Sequence, residues 1–354
     1  MNLTILRIII IINNIFSKLK NFIKDLVNLI KIIKLTSERK YCFFVETKFI
    51  YKYLKPYIEK KKFNEIVIVS FDTLKLGDKY KYFFLKTFFF QSLFFLLQKF
   101  TFFITSTPDL DNNYYYKKSK YNKSKYIYIQ HSPLSLTKIY KENAFINFDV
   151  VQAINKFQVK ELKHINKIFK KKIKIFKNPY LFLDNIEKKI NYSSKCILVA
   201  PTWATDFYKL GLHKKIFKIL KDNNINFTFR PHPMSLKVKE ISIIEIQQLN
   251  IDYDDSPEIN FKNYSDLISD WSGIFIEFAL INKKFPILIN NEQKNRNIKK
   301  NFYSEEPIEI IARKEIAHIV DKDQLYKIID ILNDKKITSI NEDKIIEFKK
   351  KYFF

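Results

Sequence analysis

Residues 267–281 read LISDWSGIFIEFALI. The first residues are the end of a short apolar strand that closes on Ser269-Asp270, and 273–281 is an apolar run of helical length. Between them stands Ser269-Asp270-Trp271-Ser272-Gly273. Ser272 carries a helix N-cap side chain, and Gly273 lets a ligand approach the backbone closely where the helix begins. A strand that delivers polar residues to a helix start is half of a βαβ unit, so this stretch points to a parallel α/β sheet.

Outward from this unit the pattern repeats. Downstream come a strand at 285–289 (FPILI) and a helix at 323–332. Upstream, 259–264 reads as a loop or short helix and 249–253 as a short strand. A strand at 224–230 (NINFTFR) runs into Pro231-His232-Pro233, and 214–221 is a helix. A strand at 196–200 (CILVA) runs into Pro201-Thr202-Trp203. Before an interdomain stretch at 178–194 lies a second block. Its strands are 41–46, 65–71, 100–105, 126–130, 149–153 and 172–176; its helices are 48–62, 87–98 and 157–169. The tyrosine- and lysine-rich 109–125 reads as a loop. The expected fold is α/β: two Rossmann-like doubly wound domains facing a cleft, over 39–190 and 191–354, after an amphipathic extension at 1–38.

Composition excludes several classes. The 354 residues contain three glycines, Gly77, Gly211 and Gly273, from which neither a G-x-G-x-x-G nor a P-loop can be built. Cys42 and Cys196 stand far apart, so no C-x-x-C site or disulfide framework exists, which fits a reducing compartment. The net charge of +26 calls for an anionic partner: nucleic acid, phospholipid or a phosphate-bearing substrate. Only five of the 63 basic residues are arginine (Arg7, Arg39, Arg230, Arg296 and Arg313), in a chain rich in Lys, Ile, Asn, Phe and Tyr. That is the mark of A/T-rich coding, whereas nucleic-acid readers favour the arginine fork. A diffuse lysine surface is the plainest reading, and no nucleic-acid partner is expected.

The N-terminus begins with an apolar run at 3–16, interrupted by Arg7, Asn13 and Asn14. It is shorter than the roughly 20 residues of a spanning helix, and no small-residue cleavage site follows it. Leu19, Phe22, Ile23, Leu26, Ile30 and Ile33 then form one helical stripe, with Lys18, Lys20, Lys24, Lys31 and Lys34 outside it. Such a helix either lies on an anionic bilayer or packs its stripe on the protein's own core.

The chemistry-bearing residues fall at strand carboxyl ends, where open α/β sheets bind ligands. His164 sits on a lysine-rich helix, His213 in a loop and His318 near a helix-like segment, and none of these calls for a catalytic role. His131 (in His131-Ser132-Pro133) and His232 each follow a strand beside a proline, the position for a general base near neutral pH. The helix after Gly273 aims its N-terminal N–H groups at an anion, or is simply an ordinary capped helix.

In order along the chain, His131-Ser132-Pro133, Ala200-Pro201-Thr202-Trp203, Arg230-Pro231-His232-Pro233 and Ser269-Asp270-Trp271-Ser272-Gly273 through Glu277 resemble the CDP-glycerol glycerophosphotransferase family of teichoic-acid-type primases and polymerases. The resemblance covers about residues 125 to 335. The family's H-G-x-P has Ser132 in place of glycine and its proline one position early. The second serine of its T-D-Y-S-S is Gly273, and its tyrosine is Trp271. The resemblance implies a GT-B-type fold. It also implies transfer of a glycerol-phosphate or related polyol-phosphate from a CDP-linked donor to an acceptor hydroxyl, with release of CMP. It gives His131 as general base and His232 with Arg230 on the diphosphate. Ser272 and Gly273 hold phosphates, Pro201, Thr202 and Trp203 line the nucleotide pocket, Asp270 orients the loop, and Glu277 reaches a ribose or pairs with a lysine. No cofactor and no metal cluster are implied. The family's acceptor is lipid-linked or polymeric, which places the enzyme on an anionic membrane surface, at the cytoplasmic face, extending a cell-envelope or capsule polymer. A GT-B glycosyltransferase using a nucleotide-sugar is the nearer rival; a non-enzymatic basic lipid- or nucleic-acid-binding protein is the more distant one.

Overall fold

Among the residues described by the structure, a computed structural model covering 3–112, 116–119, 123–183, 196–293, 302–334 and 337–354, thirteen strands form two sheets. Most of the 178–194 stretch, part of the 109–125 loop and Arg296 lie outside the described residues.

The first sheet has the order β3-β2-β1-β4-β5-β6-β7. Its strands are β1 (Tyr41–Val45), β2 (Ile66–Ser70), β3 (Tyr82–Phe84), β4 (Phe102–Thr105), β5 (Lys125–Tyr128), β6 (Val150–Ala153) and β7 (Lys174–Lys177). Phe43 lies level with Ile68 on one side and Ile104 on the other, both in parallel register. The second sheet has the order β10-β9-β8-β11-β12-β13. It comprises β8 (Ile197–Val199), β9 (Phe227–Phe229), β10 (Asp252–Tyr253), β11 (Asp266–Ser269), β12 (Ile287–Asn290) and β13 (His318–Asp321). Both sheets count outward as third, second, first, fourth, fifth, sixth, the doubly wound order. The chain reverses direction between β1 and β4 in one sheet and between β8 and β11 in the other. Strands covered on both faces are apolar throughout, which is why YCFFV, IVIVS and ILV carry no alternation. The α/β class expected from the sequence is the observed one.

The helices are α1 (Leu3–Leu35), α2 (Tyr51–Glu59), α3 (Phe88–Leu97), α4 (Leu136–Ile139), α5 (Lys156–Ile168), α6 (Leu212–Asp222), α7 (Pro233–Lys237), α8 (Ile243–Gln248), α9 (Ile274–Asn282), α10 (Ile308–Ile316), α11 (Lys327–Asn333) and α12 (Ile337–Tyr352). Two compact units result. One holds Met1–His131, Asn143–Gln152 and Phe169–Phe176; the other holds Ser132–Glu142, Ala153–Ile168 and Lys177–Phe354. The first unit buries Phe43, Val45, Leu54, Ile66 and Ile68 together, and the second buries Val199, Ile216, Phe217, Phe229 and Ile268. His213, expected in a loop, is the second residue of α6 and is buried beside Tyr208 and Phe217. Gly211, at φ 64°, starts that helix earlier than the apolar pattern suggests. Burial pushes the His213 imidazole down to about 4, so it stays neutral.

α1 docks on the first unit through Asp25, Leu29, Ile32 and Thr36, all buried. The Asp25 carboxylate accepts the backbone N–H groups of Lys86 and Thr87, just before α3, and the Asn28 amide donates to the Phe84 carbonyl at 3.0 Å. This seam lies roughly a quarter-turn around the helix from the apolar stripe. Leu19, Phe22, Ile23, Leu26 and Ile30 therefore face outward, between 41% and 53% exposed, with Phe88 and Phe89 of α3 also exposed. Polar hydrogen bonds fix the helix's rotation, and within the stripe the Phe22 ring meets Phe90 of α3 edge-on at 4.8 Å between centroids, while Ile33 is half-buried. Among the described residues no helix is long and apolar enough to cross a membrane.

Candidate active site

In the second unit, three of the sequence motifs follow the strands at and beside the chain reversal. Pro201-Thr202-Trp203 leaves β8, Asp270 through Gly273 leaves β11, and Arg230-Pro231-His232 leaves the neighbouring β9. That reversal is where a doubly wound sheet opens a crevice for a ligand.

Asp270 ties these ends together. Its fully buried carboxylate accepts the Thr202 N–H at 2.7 Å, the Thr205 hydroxyl at 3.2 Å and the Asn291 amide at 3.4 Å. These hydrogen bonds join the loops that follow β8, β11 and β12. Arg313, buried on α10, donates to the Asp270 carbonyl at 3.1 Å and the Ile289 carbonyl at 3.2 Å, and lies 4.0 Å over the Trp271 indole. Burial lowers its guanidinium to about 10, still charged at neutral pH. Trp271 in turn donates its indole N–H to the Asn291 carbonyl at 3.0 Å.

His232 caps α7: its Nδ1 accepts the Met234 N–H at 3.0 Å. In the neutral ring this places the proton on Nε2, a donor suited to a phosphate oxygen. Trp203, half-buried, lies with its ring 6.1 Å from the His232 ring. Arg230 points elsewhere. Its guanidinium pairs with Asp254 and donates to the Ser256 carbonyl at 2.7 Å, bracing the ends of β9 and β10. Glu277 is buried and accepts the Tyr180 hydroxyl at 2.6 Å.

The cap position of α9 is Gly273, with no side-chain capping bond, where Ser272 was expected. Its φ of −59° is open to any residue, so conformation does not require glycine here. Space does. A Cβ on Gly273 would stand 2.9 Å from Ser132 Oγ, 3.3 Å from Pro133 Cδ and 3.5 Å from Leu134 Cγ. A ligand was expected to approach closely at this glycine; the close neighbours in the structure are the chain's own Ser132 and Pro133.

The segment after His131 is firmly held in the second unit. Gln158 donates to the carbonyls of Ser132 and Leu134, and Asn155 to that of Pro133. Glu161, buried on α5, accepts the Ser135 hydroxyl, the Leu136 N–H at 2.9 Å and the Thr137 hydroxyl at 2.7 Å. Glu309 on α10 accepts the Ser135 N–H at 3.0 Å. His131 itself ends the first segment of the first unit, three residues past β5. Its Nδ1 lies 2.9 Å from the Tyr128 hydroxyl, and the Tyr53 ring is 6.0 Å away. The Gln130 side chain donates to the Gln152 carbonyl at 2.9 Å, fixing the backbone just before it.

Burial, with the Glu161 charge adding, pushes Glu309 up to about 7 from its ordinary 4.5. The folded protein therefore binds the extra proton between pH 4.5 and 7. Stability from this group is full below pH 4.5 and is lost as pH rises through 7, about 3 kcal/mol across the window. Glu309→Gln is expected to remove that loss. In thermal unfolding, the variant's Tm should gain on the wild type from pH 5 to about pH 7 and then level off; parallel curves throughout would contradict this.

Residues 175–353 match the model of the CDP-Glycerol:Poly(glycerophosphate) glycerophosphotransferase family. The chain belongs to this family. Two solved structures of the wall teichoic acid polymerase TagF, soaked with CDPG, share its fold. One aligns at TM-score 0.53 with 14% identity, covering 96% of this chain and 90% of that one. The other aligns at 0.52 with 14% identity, covering 95% and 92%. No curated protein matches the chain in sequence. The chain is thus a CDP-glycerol glycerophosphotransferase-like enzyme with a GT-B-type α/β fold.

As a glycerophosphotransferase of this family, the protein surrounds its motif residues with partners that the sequence does not announce. Arg313 has the one available signal: an arginine is conspicuous in a chain whose basic residues are nearly all lysine. Tyr128, Glu161 and Glu309 carry none, since one tyrosine among 21 and two carboxylates on separate helices acquire meaning only when folding brings them to His131 and Ser135.

Proposed function

We propose that the enzyme transfers a glycerol-phosphate or related polyol-phosphate unit from a CDP-linked donor to a hydroxyl of a membrane-bound, lipid-linked or polymeric acceptor of the cell envelope or capsule, releasing CMP. The observation that carries this is the convergence of three family motifs at the chain reversal of the second sheet, with the His131 motif leading directly into the segment packed on Gly273.

The acceptor oxygen attacks the donor β-phosphorus, and the bond from that phosphorus to the bridging oxygen breaks, leaving CMP. His131 Nε2 takes the acceptor's proton. For that, Nδ1 must carry the ring's other proton, and the Tyr128 oxygen accepts it, the orienting role that activates a base in a triad. His232 Nε2–H and the Ser272 hydroxyl stabilise the phosphate charge, with the backbone N–H groups at the start of α9. Trp203 offers a face to the base. Arg230, Asp270 and Arg313 hold these groups in position.

The outward stripe of α1, flanked by Lys18, Lys20, Lys24, Lys31 and Lys34, supports peripheral binding to an anionic bilayer at the cytoplasmic face. Replacing Leu19 and Ile23 by Asp removes two exposed apolar contacts without touching the Asp25 seam. This is expected to weaken binding to phosphatidylglycerol vesicles more than tenfold, read by flotation, with circular dichroism unchanged. Equal flotation would remove the membrane reading.

The decisive experiment is nucleotide release from CDP-glycerol, CDP-ribitol and UDP-sugars with membrane extract as acceptor. CMP from a CDP-polyol supports the proposal. UDP release instead moves the chemistry to glycosyl transfer on the same fold.

A further inference from the structure

We propose that Ser132 is a donor-site residue whose hydroxyl takes the place of the side chain that Gly273 lacks. The inference rests on the donor site proposed above and adds a residue to it.

Three observations carry it. First, Ser132 Oγ stands 2.9 Å from where a Cβ on residue 273 would lie, so it fills the first position of any side chain there. Second, the hydroxyl is oriented. Its oxygen accepts the Leu134 N–H at 3.3 Å, and Gln158 holds the Ser132 carbonyl at 3.2 Å. Among the described residues its proton has no acceptor, and the residue is half-buried, so that proton remains for a ligand. Third, the neighbouring Ser272 is half-buried with a hydroxyl that likewise has no protein partner among the described residues. The two hydroxyls flank Gly273 at the start of α9.

The two residues are sterically reciprocal. While Ser132 is present, position 273 admits only glycine without displacement. With glycine at 132, the Oγ contact disappears, and the nearest atoms to a Cβ at 273 become Pro133 Cδ at 3.3 Å and Leu134 Cγ at 3.5 Å. The chemical group is the same in either arrangement, a hydroxyl donor beside the first backbone N–H groups of the helix, suited to the diphosphate of a nucleotide donor.

The test is a four-protein cycle: wild type, Ser132→Gly, Gly273→Ser and the double variant. Each is measured for CDP-glycerol Kd by calorimetry and for Tm. Ser132→Gly is expected to weaken donor binding about tenfold, the loss of one hydrogen bond to a charged group. Gly273→Ser is expected to weaken it further and lower Tm. The double variant is expected to regain both Tm and most of the affinity. Donor affinity unchanged in Ser132→Gly, or a double variant no better than Gly273→Ser, overturns the proposal. A wild type that does not bind CDP-glycerol overturns the hydroxyl's assignment together with the proposed donor. Recovery of Tm in the double variant would then still establish the steric exchange, so the two failures are distinguishable.

Discussion

His131→Ala is expected to lower CMP release from CDP-glycerol by about 10²–10⁴-fold, the range for removing a general base, while leaving donor Kd unchanged. The imidazole sits past the end of β5 with its Nδ1 against the buried Tyr128 hydroxyl. That contact sets which nitrogen is available. When Nδ1 donates to the tyrosine oxygen, Nε2 carries the lone pair; when the hydroxyl donates instead, Nε2 carries the proton and cannot act as a base. Tyr128→Phe removes the acceptor and leaves the ring in place. Its expected cost is about tenfold in turnover, again without change in donor affinity. Single-turnover CMP release, with calorimetry alongside, separates the two quantities. A His131→Ala enzyme that keeps half its rate would falsify the assignment.

The second large effect is structural. Glu161→Ala is expected to destabilise the second unit by about 4 kcal/mol. The carboxylate is buried and serves the hydroxyls of Ser135 and Thr137 as well as the N–H groups of Leu136 and Thr137. Burial pushes its pKa upward, and these four hydrogen bonds pull against that. Without the carboxylate, donors sealed from water have nothing to bond. Hydrogen exchange locates the damage: the amides of Leu136 and Thr137 should lose protection first, ahead of those in β8 and β11. Glu161→Gln keeps one carbonyl oxygen, so an intermediate loss of about 1–2 kcal/mol is expected. Equal stability in all three proteins would mean that Asn155, Gln158 and Glu309 hold the segment without Glu161.

The alternation of strands and helices was legible because parallel strands covered on both faces leave unbroken apolar runs such as CILVA and FPILI. The single turns α4 and α7 were not, being too short for any period. α10 was legible only as a helix-like segment near His318, without bounds. Its buried face carries Glu309 and Arg313 beside Ile308, Ala312 and Ile316, so charge interrupts the stripe that marks a helix. The same split runs through the site. His131, His232, Trp203 and Gly273 announce themselves at strand ends. The groups that fix them lie elsewhere in the sequence, Glu309 being 174 residues from the Ser135 amide it binds. For α1 the stripe was visible, while its direction depended on Asp25, one carboxylate with nothing in the sequence to mark its partners.

The chain's threading limits how this protein can be cut. The stretch that matches the family model begins at residue 175 and would be the natural choice for an expression boundary. The second unit, however, also draws on Ser132–Glu142 and Ala153–Ile168 from far upstream. A fragment starting at 175 would lack both inserts, leaving Glu309 without its amide partner and Gly273 without the turn that packs on it. Neither unit is a contiguous cassette, so recombination at a single crossover point cannot transfer either one whole to another chain.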